Sequence, residues 1–211
     1  MNVSGACLVT QANRSRDRST EEIVAAAIDG GVTTVQLREK NATVRERYEL
    51  AEELREQTRA AGVTFVVNDR ADIAAAVDAD GVHLGDDDLP IPAAREVLGP
   101  ERCIGRSVST VEAAEAAERA GADYLGVGAI YATTSKDVPD AEAEIGTETV
   151  ADIVAAVDIP VVGIGGITPE NARDVVAAGA DGVAVISAIT AADDPAAATR
   201  QLTDTVEEVA Q

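Results

Sequence analysis

VVNDRADIAAAVDADGVHLGDDD, residues Val66–Asp88, decides the fold. It holds the end of one apolar strand-like run, Val63–Val67, and all of a second, Gly81–Leu84. Polar residues stop both runs abruptly. Asn68-Asp69 follows the first, and Gly85-Asp86-Asp87-Asp88 follows the second. The segment Ala71–Val77 between them reads as a helix. Strand, helix and strand in so short a span make one β-α-β unit, whose strands run parallel. Carboxylates then stand just past the carboxyl ends of two neighbouring strands. Acids far apart in sequence can converge there on one cation.

The unit recurs along the chain. Strand-like runs fall at Ala6–Thr10, Val32–Leu37, Arg102–Gly105, Tyr124–Gly128, Val161–Ile164 and Gly182–Ile186. Helical segments follow them. Ser19-Thr20-Glu21-Glu22 opens the first, and Thr43–Ala61 is the longest. Others are Pro90–Leu98, Thr110–Ala120, Thr147–Val157, Pro169–Ala178 (capped by Thr168) and Pro195–Val209. The phrases DADGVHLG, AGADYLGVG and AGADGVAV repeat one pattern at the start of three strands. Eight strand–helix pairs in 211 residues predict an α/β chain folded as one single-domain TIM (β/α)8 barrel over residues 1–211. A doubly wound open sheet is the alternative, and it leaves some units unused.

The totals narrow the function. There are 38 acids against 17 bases, a net charge of −21, yet 46% of residues are hydrophobic. A disordered acidic tail is poorer in apolar residues. Such a surface repels nucleic acid and anionic membranes. It suits high salt, where screening shortens the reach of self-repulsion to about 3 Å at 1 M. A halophilic source is the expectation. No apolar run is long enough for a membrane span, and MNVSGACLVTQ does not read as a signal peptide. The chain is expected to be cytoplasmic. A homo-oligomer is compatible with the sequence. Cys7 and Cys103 both sit in strand-like runs and read as free buried thiols.

In a barrel the chemistry sits after the strands. Alternation sends Gln36, Arg38 and Lys40 to one side. An amide with two cations suits a diphosphate, Arg as a fork and Lys as a point charge. The bland reading is a solvated strand end paired with Glu39 or Asp69. Lysine is scarce here, found only at Lys40 and Lys136, both after strands. Asp69 and Asp86–Asp88 suit Mg²⁺, which takes one or two carboxylates and fills its shell with phosphate oxygens and water. Their bland readings are a helix cap at Asn68 or Asp69 and surface charge. His83, in a strand run, reads as a wall residue rather than a base.

Ser107 follows the fifth strand, ahead of the helix start at Ser109-Thr110. It reads as an anion contact or part of that start. The longest link, Ala129–Gly146, carries Tyr131, Thr133, Ser135 and Lys136 and reads as a lid with a phosphate clamp. Gly165-Gly166 after the seventh strand and Ile186-Ser187 after the eighth fit a backbone phosphate site. Two anion sites emerge. One is cationic, acid-lined and suited to a metal-bound diphosphate; the other suits a monophosphate. Such a chain can move a group from the first substrate to the second.

Taken in order, these residues resemble the thiamine phosphate synthase family. The resemblance is carried by CLVT at 7–10, QLREK at 36–40, NDRADIA at 68–74 and GVHLGDDD at 81–88. GRS at 105–107, DYLGVGAIY at 123–131 and TTSK at 133–136 continue it. GIGGI at 163–167 and ISAI at 186–189 complete it. It implies that 4-amino-2-methyl-5-hydroxymethylpyrimidine diphosphate and 4-methyl-5-hydroxyethylthiazole phosphate are joined to thiamine phosphate, with diphosphate released. It implies Mg²⁺ on Asp69 and Asp88. Gln36, Arg38, Lys40, Asn68 and Lys136 would surround the pyrimidine diphosphate, with Ser107 near the pyrimidine. The catalytic parts would fall to Lys136 and Ser107. Thr133 and Ser135 would contact the thiazole phosphate, with backbone from Gly165, Gly166, Ile186 and Ser187.

The chain departs from the family pattern in places. Asp86 stands where glutamine is usual and adds charge beside the metal. Ala129, Ala132 and Thr134 replace prolines of the strand 6 loop, and Gln11 stands where an acid is usual. A thiazole tautomerase of the same superfamily is the nearest rival, and it has no need of the diphosphate residues. A non-catalytic phosphate-binding barrel is the other.

Overall fold

The computed structural model describes residues 3–133 and 144–210. Eight parallel strands close into a barrel in chain order. They are β1 (Gly5–Val9), β2 (Thr34–Leu37), β3 (Thr64–Asn68), β4 (Gly81–Leu84), β5 (Cys103–Val108), β6 (Tyr124–Val127), β7 (Val161–Ile164) and β8 (Gly182–Val185). β8 pairs with β1, Gly182 opposite Gly5, so the sheet has no edge and the open-sheet alternative is excluded. The helices are α1 (Thr20–Asp29), α2 (Val44–Ala61), α3 (Ala71–Ala76), α4 (Ile91–Leu98), α5 (Val111–Arg119) and α6 (Gly146–Ala156). α7 (Ala172–Ala177), α8 (Ser187–Thr190) and α9 (Pro195–Ala210) follow.

Strand alternation divides the apolar residues. Leu8, Val35, Phe65, Leu84 and Leu125 face outward and are fully buried under the helices. Cys7, Val9, Tyr124, Val162 and Ala184 face inward and form a second, smaller cluster inside the barrel. The helices begin where the sequence supplies caps. Ser19 with Glu22 and Thr43 with Glu46 form reciprocal capping boxes at α1 and α2. Gly62 ends α2 at φ 70°, a conformation that favours glycine.

The repeated Asp phrase has a structural job. Asp80, Asp123 and Asp181 each precede a strand, and each ties that strand to the one before it. Their carboxylates accept from the N–H groups of Phe65 (2.8 Å), Ile104 (2.7 Å) and Val161 (2.8 Å). Their own N–H groups donate back to the carbonyls of the same three residues. This two-way clamp sits at the amino ends of the strands, the end that stabilises rather than reacts. Arg55 forks onto Asp80, with bonds of 2.8 and 3.1 Å.

Several expected boundaries differ. β5 extends to Val108, so Ser107 lies in a strand and not in a loop. Gly-Arg-Ser interrupts the apolar run, but an inward position beside a cavity accepts polar residues. α7 starts at Ala172 rather than Pro169. The Asn171 side chain accepts from Thr168 N–H (2.8 Å) and donates to the Gly166 carbonyl (3.1 Å), folding residues 168–171 into a turn. α8 was not legible, being four residues long. Both cysteines are free, but Cys103 is only partly buried. Burial pushes both thiols up to about 12, so they stay protonated.

Candidate active site

A cavity of about 400 Å³ opens at the carboxyl ends of the strands. Gln36, Arg38 and Lys40 all line it, as alternation along β2 requires. Gln36 Nε2 donates to Asn68 Oδ1 at 2.7 Å, joining β2 to β3 at the rim. Arg38 is held by its backbone N–H, which donates to Thr10 Oγ1 (3.0 Å). Glu39 turns the other way and is buried. Its carboxylate accepts from Ala12 N–H (2.9 Å) and from the Thr20 hydroxyl (3.3 Å). Among the described residues Glu39 therefore anchors the strand end; of the two partners the bland reading offered the cations, Asp69 is the one that pairs, with Lys40.

Asp69 stands at φ 64°, an uncommon conformation for a residue with a side chain. Its N–H donates to the His83 carbonyl at 2.8 Å. α3 begins after Arg70, and no side chain caps it, so the helix-cap reading of Asn68 and Asp69 is also excluded. The Asp69 carboxylate meets Lys40 Nζ at 3.3 Å. Burial raises its pKa above the ordinary carboxylate value, and the adjoining Asp88 carboxylate raises it further; Lys40 opposes both. Asp88 is drawn in by the Gly85 N–H, which donates to its Oδ2 at 2.7 Å.

Of the three consecutive acids after β4, Asp86 and Asp87 line the cavity and Asp88 does not. Asp86 is tied down by Arg106 at 2.7 Å, which offsets the added charge. The described residues contain no cluster of three or more His, Cys, Asp or Glu able to hold a metal. The adjoining carboxylates of Asp69, on the cavity wall beside Lys40, and Asp88, behind it, fit Mg²⁺ completed by substrate oxygens and water. They do not fit a metal that demands a full protein shell.

His83, Tyr124 and Ser107 form the cavity wall on β4, β5 and β6. His83 Nδ1 lies 2.9 Å from the Tyr124 hydroxyl, and Nε2 lies 2.9 Å from Ser107 Oγ. Tyr124 was missed in the sequence. The signal lay in two inward glycines. A Cβ on Gly105 would stand 2.1 Å from Tyr124 Cζ, and one on Gly126 would stand 2.8 Å from His83 Cε1. The two rings occupy the space those glycines leave.

A second cavity of about 520 Å³ adjoins the first. Thr133, Gly165, Gly166, Ile186 and Ser187 line it. Ile164, Ala184 and Ile186 line both cavities, so the two are contiguous. Gly165 and Gly166 stand at φ 102° and 65°. A Cβ on either would meet the Ala129–Ala132 backbone at 2.6 Å. That close approach lets Tyr131 N–H reach the Gly165 carbonyl (3.0 Å) and fixes the start of the strand 6 loop. Ser135 and Lys136 lie outside the described residues.

Residues 6–189 match the family model described as thiamine monophosphate synthase. A thiamine-phosphate synthase of Haloquadratum walsbyi is 67% identical over 200 residues, 95% of this chain and 90% of that protein. One of Natronomonas pharaonis is 65% identical, covering 98% of this chain and 96% of that protein. A solved structure of a thiamine phosphate pyrophosphorylase from Pyrococcus furiosus superposes with a TM-score of 0.88 at 45% identity. That superposition covers 98% of this chain and 97% of that one. The chain belongs to the thiamine monophosphate synthase family.

Proposed function

We propose that this transferase binds the pyrimidine diphosphate in the first cavity and the thiazole phosphate in the second, and joins them to thiamine phosphate. The observation that carries the reading is the contiguity of the two cavities. One is edged by Arg38, Lys40 and Asp69, and the other is built from Gly165, Gly166 and Ser187. A tautomerase has no use for the first set of residues.

Arg38 and Lys40 hold the diphosphate, and Lys136 completes that grip from the strand 6 loop. Ser107 contacts the pyrimidine, and Gln36 with Asn68 fixes the rim. Thr133, Ser135 and the backbone of Gly165, Gly166, Ile186 and Ser187 hold the thiazole phosphate. Asp69 and Asp88 would hold Mg²⁺, which when bound would supply charge stabilisation to a departing diphosphate. The carbon–oxygen bond to the diphosphate breaks first, and the diphosphate takes the electron pair. The aminopyrimidine spreads the positive charge left on the methylene carbon. The thiazole nitrogen then bonds to that carbon. Such a path asks the protein for electrostatics and alignment rather than for a nucleophile or a strong base.

The acidic surface supports a protein adapted to high salt, working in the cytoplasm. No helix among the described residues is long and apolar enough to cross a membrane. Reversible unfolding on dilution of salt is the expected behaviour, and full stability in dilute buffer would contradict it. The activity is tested by mixing protein, Mg²⁺ and both substrates in high salt. Thiamine phosphate should form with one diphosphate per product. Binding of both ligands without product would favour a non-catalytic barrel.

A further inference from the structure

His83 is the only histidine of the chain. It stands between two hydroxyls, with the order phenol, imidazole, serine, cavity. A neutral imidazole donates at one nitrogen and accepts at the other. Two proton arrangements therefore fit the same heavy atoms. In the first, Ser107 donates to Nε2, and Nδ1–H donates to Tyr124. In the second, Tyr124 donates to Nδ1, and Nε2–H donates to Ser107, whose own proton stays available to a ligand.

Tyr124 discriminates between them. It is buried inside the barrel, and burial lifts its pKa well above the ordinary phenol value, so it keeps its proton. A buried O–H is satisfied only by an acceptor. Among the described residues, the hydrogen-bond partner of this phenol is His83 Nδ1. The Cys7 and Cys103 thiols also act on it electrostatically. Sulfur is a weak acceptor, and Cys7 spends its own proton on the Leu8 carbonyl at 3.8 Å. The first arrangement would take from the phenol proton the one nitrogen or oxygen acceptor it has among the described residues. The absent side chains of Gly105 and Gly126 leave the space that the two rings fill.

We propose that Tyr124 locks His83 in the Nε2–H tautomer, so that Ser107 accepts from the imidazole and turns its own hydroxyl proton into the cavity, toward a ring-nitrogen lone pair of the bound substrate. This rests on the reading that Ser107 contacts the pyrimidine. His83 and Tyr124 are positioning residues under it, and His83 is no base toward Ser107. The site then selects a heteroaromatic ring with a lone pair at that edge over one with C–H there.

The test uses tag-free protein carrying ¹⁵N-histidine, without ligand, in high salt at about pH 8, above the ordinary titration of imidazole. With one histidine, the spectrum holds two ring-nitrogen signals, and their couplings to the ring protons identify each. Protonated Nε2 and bare Nδ1 are expected; the reverse tautomer overturns the proposal. Tyr124→Phe removes one oxygen and should turn the single tautomer into a mixture. It should also raise KM for the pyrimidine diphosphate about tenfold, the size of one net hydrogen bond. A variant that keeps both the pure tautomer and the wild-type KM overturns the proposal as well. The spectrum is recorded on free protein. A wild type that makes no thiamine phosphate would therefore defeat the functional reading and leave the tautomer assignment standing.

Discussion

The ammonium of Lys40 lies 3.3 Å from the Asp69 carboxylate, which the Asp88 carboxylate also adjoins. Asp69 thus answers to one cation and one anion at once. Burial and Asp88 together outweigh Lys40, and the Asp69 pKa is raised. A raised carboxylate pKa means that ionised Asp69 is unfavourable in the ligand-free fold. The stability it contributes is complete below the ordinary Asp value and is lost as pH rises through the raised one. Asp69→Asn should therefore raise the melting temperature of metal-free protein by a few degrees at neutral pH, at about 2–4 °C per kcal/mol. The difference from wild type should vanish in acid, below the ordinary Asp value of 3.8. Calorimetry across pH checks this, and a variant less stable at neutral pH would contradict it.

The proposed diphosphate site sets a prediction for turnover. Asp88→Ala and Lys136→Ala should each lower kcat by about 10²–10³-fold, as loss of one electrostatic contact to a developing charge does. Circular dichroism should show an intact barrel. A near-normal rate in either variant would remove that residue from the site.

Gly105 is committed to the space it leaves for Tyr124. Gly105→Ala puts a methyl 2.1 Å from Tyr124 Cζ, with the ring penned inside the barrel. Overpacking of this kind costs about 1–3 kcal/mol. Urea unfolding should show the loss, and KM for the pyrimidine diphosphate should rise with it as His83 and Ser107 shift. Unchanged stability would mean that the ring has room to move.

Asp181 should separate stability from activity. Its carboxylate receives Val161 N–H at the amino end of β7. Asp181→Ala should cost about 1 kcal/mol in urea unfolding. The kcat of the folded protein should stay within about twofold, a change below 0.5 kcal/mol in the barrier.

Much of this was legible before any coordinates. Strand and helix alternation, with glycine after the helices, led to the closed barrel. Period-two alternation after β2 brought Gln36, Arg38 and Lys40 to one wall, as they stand. What escaped depends on register between strands. Tyr124 reads as an ordinary strand aromatic until β5 and β6 align it with Gly105, its partner in the ladder. Ser107 read as a loop residue because a polar triplet breaks an apolar run, and a cavity-facing strand tolerates that break. The Asp80, Asp123 and Asp181 repeat was visible as a phrase. Its clamp on the preceding strand appears only when neighbouring strands are set side by side. Asp69 looked like a helix cap because caps and rim carboxylates share composition; its backbone angle and its lysine tell them apart.

A crystal structure with thiamine phosphate, diphosphate and Mg²⁺ bound together tests the two-site claim most directly. Diphosphate and metal should lie against Arg38, Lys40, Asp69 and Asp88. The product's phosphate should lie on the backbone of Gly165, Gly166 and Ser187, with the pyrimidine at Ser107. Diphosphate bound at the glycines, or a pyrimidine away from Ser107, would contradict the account.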